Sequence, residues 1–229
     1  MTAIVNMSEA KAREEICRVG ESLFQRGYVH ATAGNISVRL DHGFLITPTD
    51  ACLGFLDPAD LALLDLEGHQ LSGKRASKTI ALHRKIYEAS DHALGSWPAH
   101  CVIHTHSTHC VGLSLRTQGA ELLPPITPYF VMKVGHVPLI PYFRPGDVLA
   151  ADAVADAILH YAKVDTPIRA VMLSRLGPNV WHQDLTQAMA TLEELEETAK
   201  LVNLASPHLP DNLSDEQIEE LRQNFGASW

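Results

Sequence analysis

The sequence is short of cysteine, of long apolar runs and of positive charge, and each shortage removes a class of protein. Its four cysteines, Cys17, Cys52, Cys101 and Cys110, show no CxxC spacing in 229 residues. They read as reduced, mostly buried thiols of a cytoplasmic protein rather than a disulfide framework. No apolar run approaches the roughly 18 residues that a membrane span needs. The opening MTAIVNMSEA has no basic n-region, and its apolar stretch stops at Asn6, so it does not read as a signal peptide. Lys and Arg number 18 against 27 Asp and Glu, a net charge of −9. Such a chain has no Lys/Arg stripe with which to replace phosphate counterions along a nucleic acid. No repeat and no Pro/Gly/Ser-rich linker divides it.

What is present is an ordinary globular composition, 46% hydrophobic and 20% charged. A chain of this length buries about 70% of its unfolded surface and needs no covalent staple to fold. Ile16, Val19 and Leu23 set an apolar stripe for a helix from Ser8 to before Gly27. The period then drops to two: Ile36, Val38 and Leu40 alternate with polar residues, and Phe44 to Thr47 returns as a hairpin partner. Further strands are expected at Leu61 to Leu66, Cys101 to Thr105, Val137 to Ile140, Arg169 to Leu173 and Asn179 to Trp181, the last two joined by a Gly177-Pro178 turn. Helices are expected from Ser77 to Glu88, Ser107 to Leu115 and Asp147 to Ala162. Two more follow the caps Asp184/Gln187 and Ser214/Gln217. Six prolines between Leu122 and Pro145 mark a segment that is mostly loop. The interleaving predicts one α/β domain over 1–229, of three layers (α/β/α) with a mixed sheet, and 206–229 as a C-terminal helical tail.

Thirteen histidines are the unusual entry in the composition, and they cluster. In C-V-I-His104-Thr105-His106-S-T-His109, His104 and His106 stand two apart at the end of a buried strand. They therefore share a face and can converge on one cation, as neutral imidazoles suited to zinc. The same spacing suits a hydrogen-bonded core pair. His109, three further on, is near enough to support such a site from behind. In His30-Ala31-Thr32-Ala33-Gly34-Asn35-Ile36-Ser37, a loop of small residues leaves N–H groups and hydroxyls free for an oxyanion. Thr47-Pro48-Thr49 lies across the expected hairpin. Taken alone, the loop also reads as a tight turn that needs Gly34. Ser72 to Thr79 gathers cations and hydroxyls at a helix start, a favourable place for an anion and equally an ordinary solvated helix entry.

Together and in this order, A-T-A-G-N-I-S, L-I-T-P-T, S-K-T before a helix carrying L-H, and H-x-H resemble the class II aldolase/adducin family over residues 10–205. Within it, Cys52 to Pro58, Thr127 to Asp147 and Leu192 to Leu201 resemble the 3-oxo-tetronate 4-phosphate decarboxylases. The resemblance implies a homotetramer with sites near subunit interfaces, and a divalent metal, zinc, on His104 and His106. It further implies phosphate binding by Thr32, Asn35, Thr49 and Ser77. Two positions depart from the family pattern: Thr79 stands where the aldolases carry an acid/base glutamate, and Leu176 where a third zinc histidine is expected. Asp50 also replaces a glycine beside the phosphate. A β-keto acid reaches its enediolate by losing carbon dioxide, without a strong base, so Thr79 suits decarboxylation and opposes aldol cleavage. His109, His136, His182 or water are open as replacements for the third ligand. Lys78 is a candidate for carboxylate binding or proton return, and Tyr129 for proton return; the plain alternatives are a solvated lysine and a packed loop aromatic. The implied reaction converts a 3-oxo-tetronate 4-phosphate to dihydroxyacetone phosphate and carbon dioxide, in a cytoplasmic enzyme without nucleic-acid or membrane partners. The alternatives are an aldolase or epimerase of another sugar phosphate, and a non-catalytic module on the same fold.

Overall fold

A computed structural model describes residues 7–93, 98–208 and 211–229. The reading of the first residues as no signal peptide rests on positions 1–6, outside the described residues. Helix α1 (Glu9–Gln25) starts on Ser8, whose hydroxyl accepts the Lys11 N–H. Ala12, Ile16, Val19 and Leu23 are buried along one stripe, as the spacing predicts. Burying a side chain such as Ile16 or Leu23 contributes about 1.5–3 kcal/mol.

Among the described residues, eight strands form one sheet: β1 (Asn35–Leu40), β2 (Gly43–Ile46), β3 (Ala62–Leu64), β4 (Gln70–Ser72), β5 (Cys101–His104), β6 (Leu139–Ile140), β7 (Ala170–Leu173) and β8 (Gly177–His182). Their order is β4-β3-β2-β1-β5-β8-β7-β6. Only β6 runs parallel to its neighbour, which makes the sheet mixed. Alternation along the central strands divides the core. Ile36, Val38, Ile103 and Val180 face α1, α3 (Thr108–Ser114), α4 (Pro128–Lys133) and α6 (Leu185–Ala205). Val102, Val171 and Trp181 face α2 (Ile80–His92) and α5 (Val148–Lys163). Helix α7 (Asp215–Phe225) carries the full Ser214/Gln217 capping box and packs on α4. The expected three-layer α/β/α arrangement is thus the observed one.

Several local expectations need correction. The turn between β7 and β8 occupies residues 174–176, and Gly177-Pro178 opens β8 instead. Gly177 serves close approach: a Cβ there would lie 1.8 Å from the Thr105 carbonyl oxygen. The proline-rich segment contains α4, because Pro128 sits at the first helical position, where a missing N–H costs nothing, and Thr127 caps it. The strand expected at 137–140 is shortened to Leu139–Ile140, and that expected at 61–66 to Ala62–Leu64. Strand β4 has no buried residue and hence no alternating signal. Helix α2 begins at Ile80, leaving Ser77 to Thr79 before it, and its buried residues are His83, Ile86, Tyr87, Ala89 and Ser90.

Candidate active site

Register builds the site. Asn35 of β1 pairs with His104 of β5, which pairs with Asn179 of β8. Directly paired residues share a face, so these three form one row on the α2/α5 side of the sheet. All three are buried. His104 donates Nδ1–H to the Pro178 carbonyl at 2.9 Å, which fixes its tautomer and leaves the Nε2 lone pair free. His106 lies just past the strand, half-buried, its ring centre 5.1 Å from that of His104. Burial lowers the His104 pKa to about 3, with His106 adding to the shift. Burial, then His30, lowers that of His106. Both imidazoles are therefore neutral at pH 7, the form that ligates a cation.

The backbone around the pair is held from three sides. Gly177 packs on Thr105 as described, and Gly34, at φ +84°, brings the 30–35 loop so close that a Cβ would sit 2.9 Å from the His104 carbonyl oxygen. Behind them, the buried Glu196 carboxylate of α6 accepts the His109 N–H at 2.8 Å and the Cys110 N–H at 3.0 Å. It satisfies donors that the start of α3 leaves open. Asn203 Nδ2 donates to the His109 carbonyl at 3.0 Å. Sequence reasoning singled out Leu192 to Leu201 without a role for any residue in it. A glutamate among glutamates gives no local signal of burial.

Helix α2 contributes His83, fully buried, with Nδ1 2.7 Å from Ser37 Oγ, which lies 2.6 Å from Tyr87 Oη. Burial and the neighbouring His104 lower its pKa to about 3. Among the described residues, the buried side-chain atoms without a hydrogen bond include Asn35 Oδ1, His83 Nε2, Thr105 Oγ1, Ser107 Oγ and Asn179 Nδ2. These belong to the row, its flanking loop and the helix above it. Unpaired buried polar atoms are costly, so their gathering at one place marks a seat for a polar ligand.

Of the residues implied for phosphate binding, Asn35, Thr49 and Ser77 lie on segments tied to one another by hydrogen bonds. The Thr49 N–H donates to the Arg75 carbonyl (2.9 Å) and the Ser77 N–H to the Thr47 carbonyl (3.2 Å), while Thr47 Oγ1 accepts the Ile36 N–H at 3.2 Å. Thr32 is exposed, in a turn closed by the Ala33 N–H on the His30 carbonyl. Asp50 adopts φ +56°, the backbone region that favours the glycine it replaces. A cavity of about 410 Å³, lined by Thr49, Asp50, Cys52, Lys74 and Arg75 among others, reaches Thr49 but not Asn35, Ser77 or the histidine pair. Thr79 stands at the N-cap of α2, its Oγ1 2.9 Å from Ser77 Oγ, and Lys78 is exposed beside it. Tyr129 is not gathered with them: it is exposed on α4, which packs on α6 and α7. Leu176 lies in the β7–β8 turn, partly buried against the α2/α5 core.

A neutral histidine pair at the end of a buried strand, beside a loop of small residues and hydroxyls, on a three-layer mixed sheet, defines an α/β fold with a candidate site for a cation and an anion. The chain belongs to the Class II Aldolase and Adducin N-terminal domain family, whose model matches residues 14–202. Among its relatives is the 3-oxo-tetronate 4-phosphate decarboxylase of Cupriavidus necator, 50% identical over 232 residues, covering 97% of this chain and 99% of that one. The crystal structure of YgbL from Escherichia coli is 38% identical with a TM-score of 0.81, over 93% of this chain and 99% of the other. That of L-fuculose-1-phosphate aldolase from Thermus thermophilus is 28% identical with a TM-score of 0.71, over 87% and 98%.

The family is divalent-metal dependent, generally through zinc. The donor set here fits such an ion in part. His104 offers a neutral, oriented Nε2, and His106 stands beside it at the end of the same strand. The Leu176 side chain has no donor atom. Among the described residues, no three His, Cys, Asp or Glu side chains already stand together as a ligand set.

Proposed function

We propose that the chain is a cytoplasmic lyase that converts a 3-oxo-tetronate 4-phosphate to dihydroxyacetone phosphate and carbon dioxide. The observation that carries this reading is the oriented His104/His106 pair beside Asn35, in a chain that is 50% identical to a decarboxylase of that name. Asn35, Thr49, Ser77 and, from its exposed turn, Thr32 seat the phosphate. His104 and His106 hold a divalent cation, zinc. When bound, that ion supplies a Lewis acid for the keto oxygen.

The carboxylate carbon leaves as carbon dioxide, and its bonding electron pair moves into the adjoining carbon skeleton, giving the enediolate. The carbon that carried the carboxylate then takes one proton, which yields the ketone. No group has to remove a proton from carbon, so Thr79 can stand in place of a glutamate. In this reading Lys78, exposed just before α2, meets the substrate carboxylate or returns the proton. Tyr129 fits proton return only from another copy of the chain, since it is exposed on α4. A homotetramer of single-domain subunits, each with a helical tail over 206–229, accommodates that arrangement.

A non-catalytic module is the second reading, favoured by Leu176 and Thr79 and opposed by the retained histidine pair. One purified sample decides between them: stoichiometric zinc with carbon dioxide release from a 3-oxo-tetronate 4-phosphate is expected. Condensation of dihydroxyacetone phosphate with an aldehyde, without decarboxylation, would establish an aldolase instead. Light scattering is expected to give about four times 25.1 kDa.

A further inference from the structure

We propose that His83 is a positioning residue: in the occupied site its Nε2–H donates to Asn35 Oδ1 and so turns the Asn35 amide N–H groups toward the phosphate of the substrate. The inference rests on the reading of Asn35 as a phosphate ligand. It starts from the direction of the buried chain Tyr87–Ser37–His83. The Tyr87 hydroxyl has one hydrogen-bond partner among the described residues, Ser37 Oγ at 2.6 Å. It therefore donates there, since the opposite sense leaves its proton buried without an acceptor. Ser37 Oγ then donates to His83 Nδ1 at 2.7 Å. Burial keeps the His83 ring neutral at pH 7, so its single proton sits on Nε2. That nitrogen is enclosed and has no hydrogen-bond partner among the described residues.

Asn35 Oδ1 is the complementary group, a buried acceptor without a donor. Asn35 and Ser37 stand two apart on β1 and share the face that α2 covers. Helix and strand run in step. Tyr87 lies within electrostatic reach of Cys101 and Arg39, and His83 within that of His104, which pairs with Asn35. The other unpartnered donors are placed elsewhere. Asn179 is two strands from Asn35, roughly 10 Å. Thr105, one residue past His104, alternates to the opposite face, and Ser107 stands beside Cys110 in the core under α6. The lone pair on His104 Nε2 is the one assigned to the cation. With Oδ1 turned inward, Asn35 Nδ2 is left for the ligand: it has no hydrogen bond among the described residues and is not enclosed. An anion requires donors, and a side-chain amide rotates about a broad, roughly two-fold torsion. Reversed, the amide would aim its oxygen at the phosphate and set two donors against each other inside. The His83 Nε2–H selects the productive orientation.

Two measurements on the full chain test this. In the parent labelled with 15N-histidine, the His83 resonances, identified by their loss in either His83 variant, are expected to report the Nε2–H tautomer. The Nδ1–H tautomer overturns the relay. The second measurement is the affinity for inorganic phosphate by calorimetry, with metal content and circular dichroism recorded for each variant. His83→Gln keeps a donor near the position of Nε2, whereas His83→Asn keeps only a partner for Ser37. His83→Asn is expected to weaken phosphate binding about tenfold and His83→Gln by about threefold or less, with metal content unchanged. In an Asn35→Ala background His83→Asn is expected to add no further loss. Equal losses in the two variants, a loss that accompanies loss of metal, or a loss that persists without Asn35 overturns the role of His83 alone. A parent that binds no phosphate, or an Asn35→Ala chain that binds it as well as the parent, overturns the phosphate reading and the role of His83 together.

Discussion

His104 is oriented by Pro178: the carbonyl that accepts its Nδ1–H at 2.9 Å also accepts the Thr105 N–H at 3.3 Å. One oxygen of β8 therefore sets both the ring and the peptide that follows it. That shared contact requires the two backbones to lie close, which Gly177 permits. Gly177→Ala places a methyl 1.8 Å from the Thr105 oxygen. It is expected to cost about 3 kcal/mol or more. Urea denaturation checks the loss, and zinc affinity should fall with it. A variant as stable as the parent would refute the account of this approach.

Glu196→Gln replaces one of two backbone acceptors with an amide N–H that faces a donor. It should destabilise the chain by about 1–3 kcal/mol. Glu193→Gln, on the same helix, breaks only the exposed pair with Arg26 and should cost less than about 1 kcal/mol. Chemical denaturation of the two variants side by side measures the difference, and equal losses would contradict the role given to Glu196.

Thr79→Ala is expected to lower kcat/KM by about tenfold or less, the scale of one lost hydrogen bond to Ser77. Loss of a general base would instead cost about a hundredfold or more. Steady-state carbon dioxide release separates the two. Thr79→Glu with Leu176→His is expected to be unnecessary for decarboxylation and to introduce weak aldol activity.

Acid should destabilise the fold through His83. Burial holds its folded pKa near 3, below the ordinary 6.5, so the unfolded chain binds the extra proton between those values. Stability is full above about pH 6.5 and falls as the pH drops, by about 1.4 kcal/mol per unit for this one group. Between pH 6.5 and 5 its share is about 2 kcal/mol. His83→Gln, whatever its absolute stability, should show a pH slope shallower by one proton over that window. An unchanged slope would exclude His83 as a source.

The parts that were legible in the sequence are those in which a local pattern and the tertiary packing agree. Ile16, Val19 and Leu23 fall on one helical stripe, β1 alternates, and Asp147, Asp184 and Ser214 cap the helices they precede. The His104/His106 pair was visible because a strand repeats every two residues. What was hidden depends on distance along the chain. Gly177 reads as a turn glycine until Thr105 is placed against it, and β4 has no buried side to alternate with. His30 is one loop histidine among thirteen until its ring is found beside His106. Glu196 looks like its solvated neighbours until the start of α3 is laid on it.

The two outer strands have a consequence for assembly. An open sheet offers unpaired N–H and C=O groups along its first and last strands, and an extended segment of another chain can add to them. Here those strands are three residues, Gln70–Ser72, and two residues, Leu139–Ile140. The first is further occupied by Gln70, whose amide caps the carbonyls of Ser72, Gly73 and Lys74. So short a template cannot propagate a shared sheet from molecule to molecule. Edge-to-edge pairing between copies therefore has only a three-residue template at one rim and a two-residue template at the other.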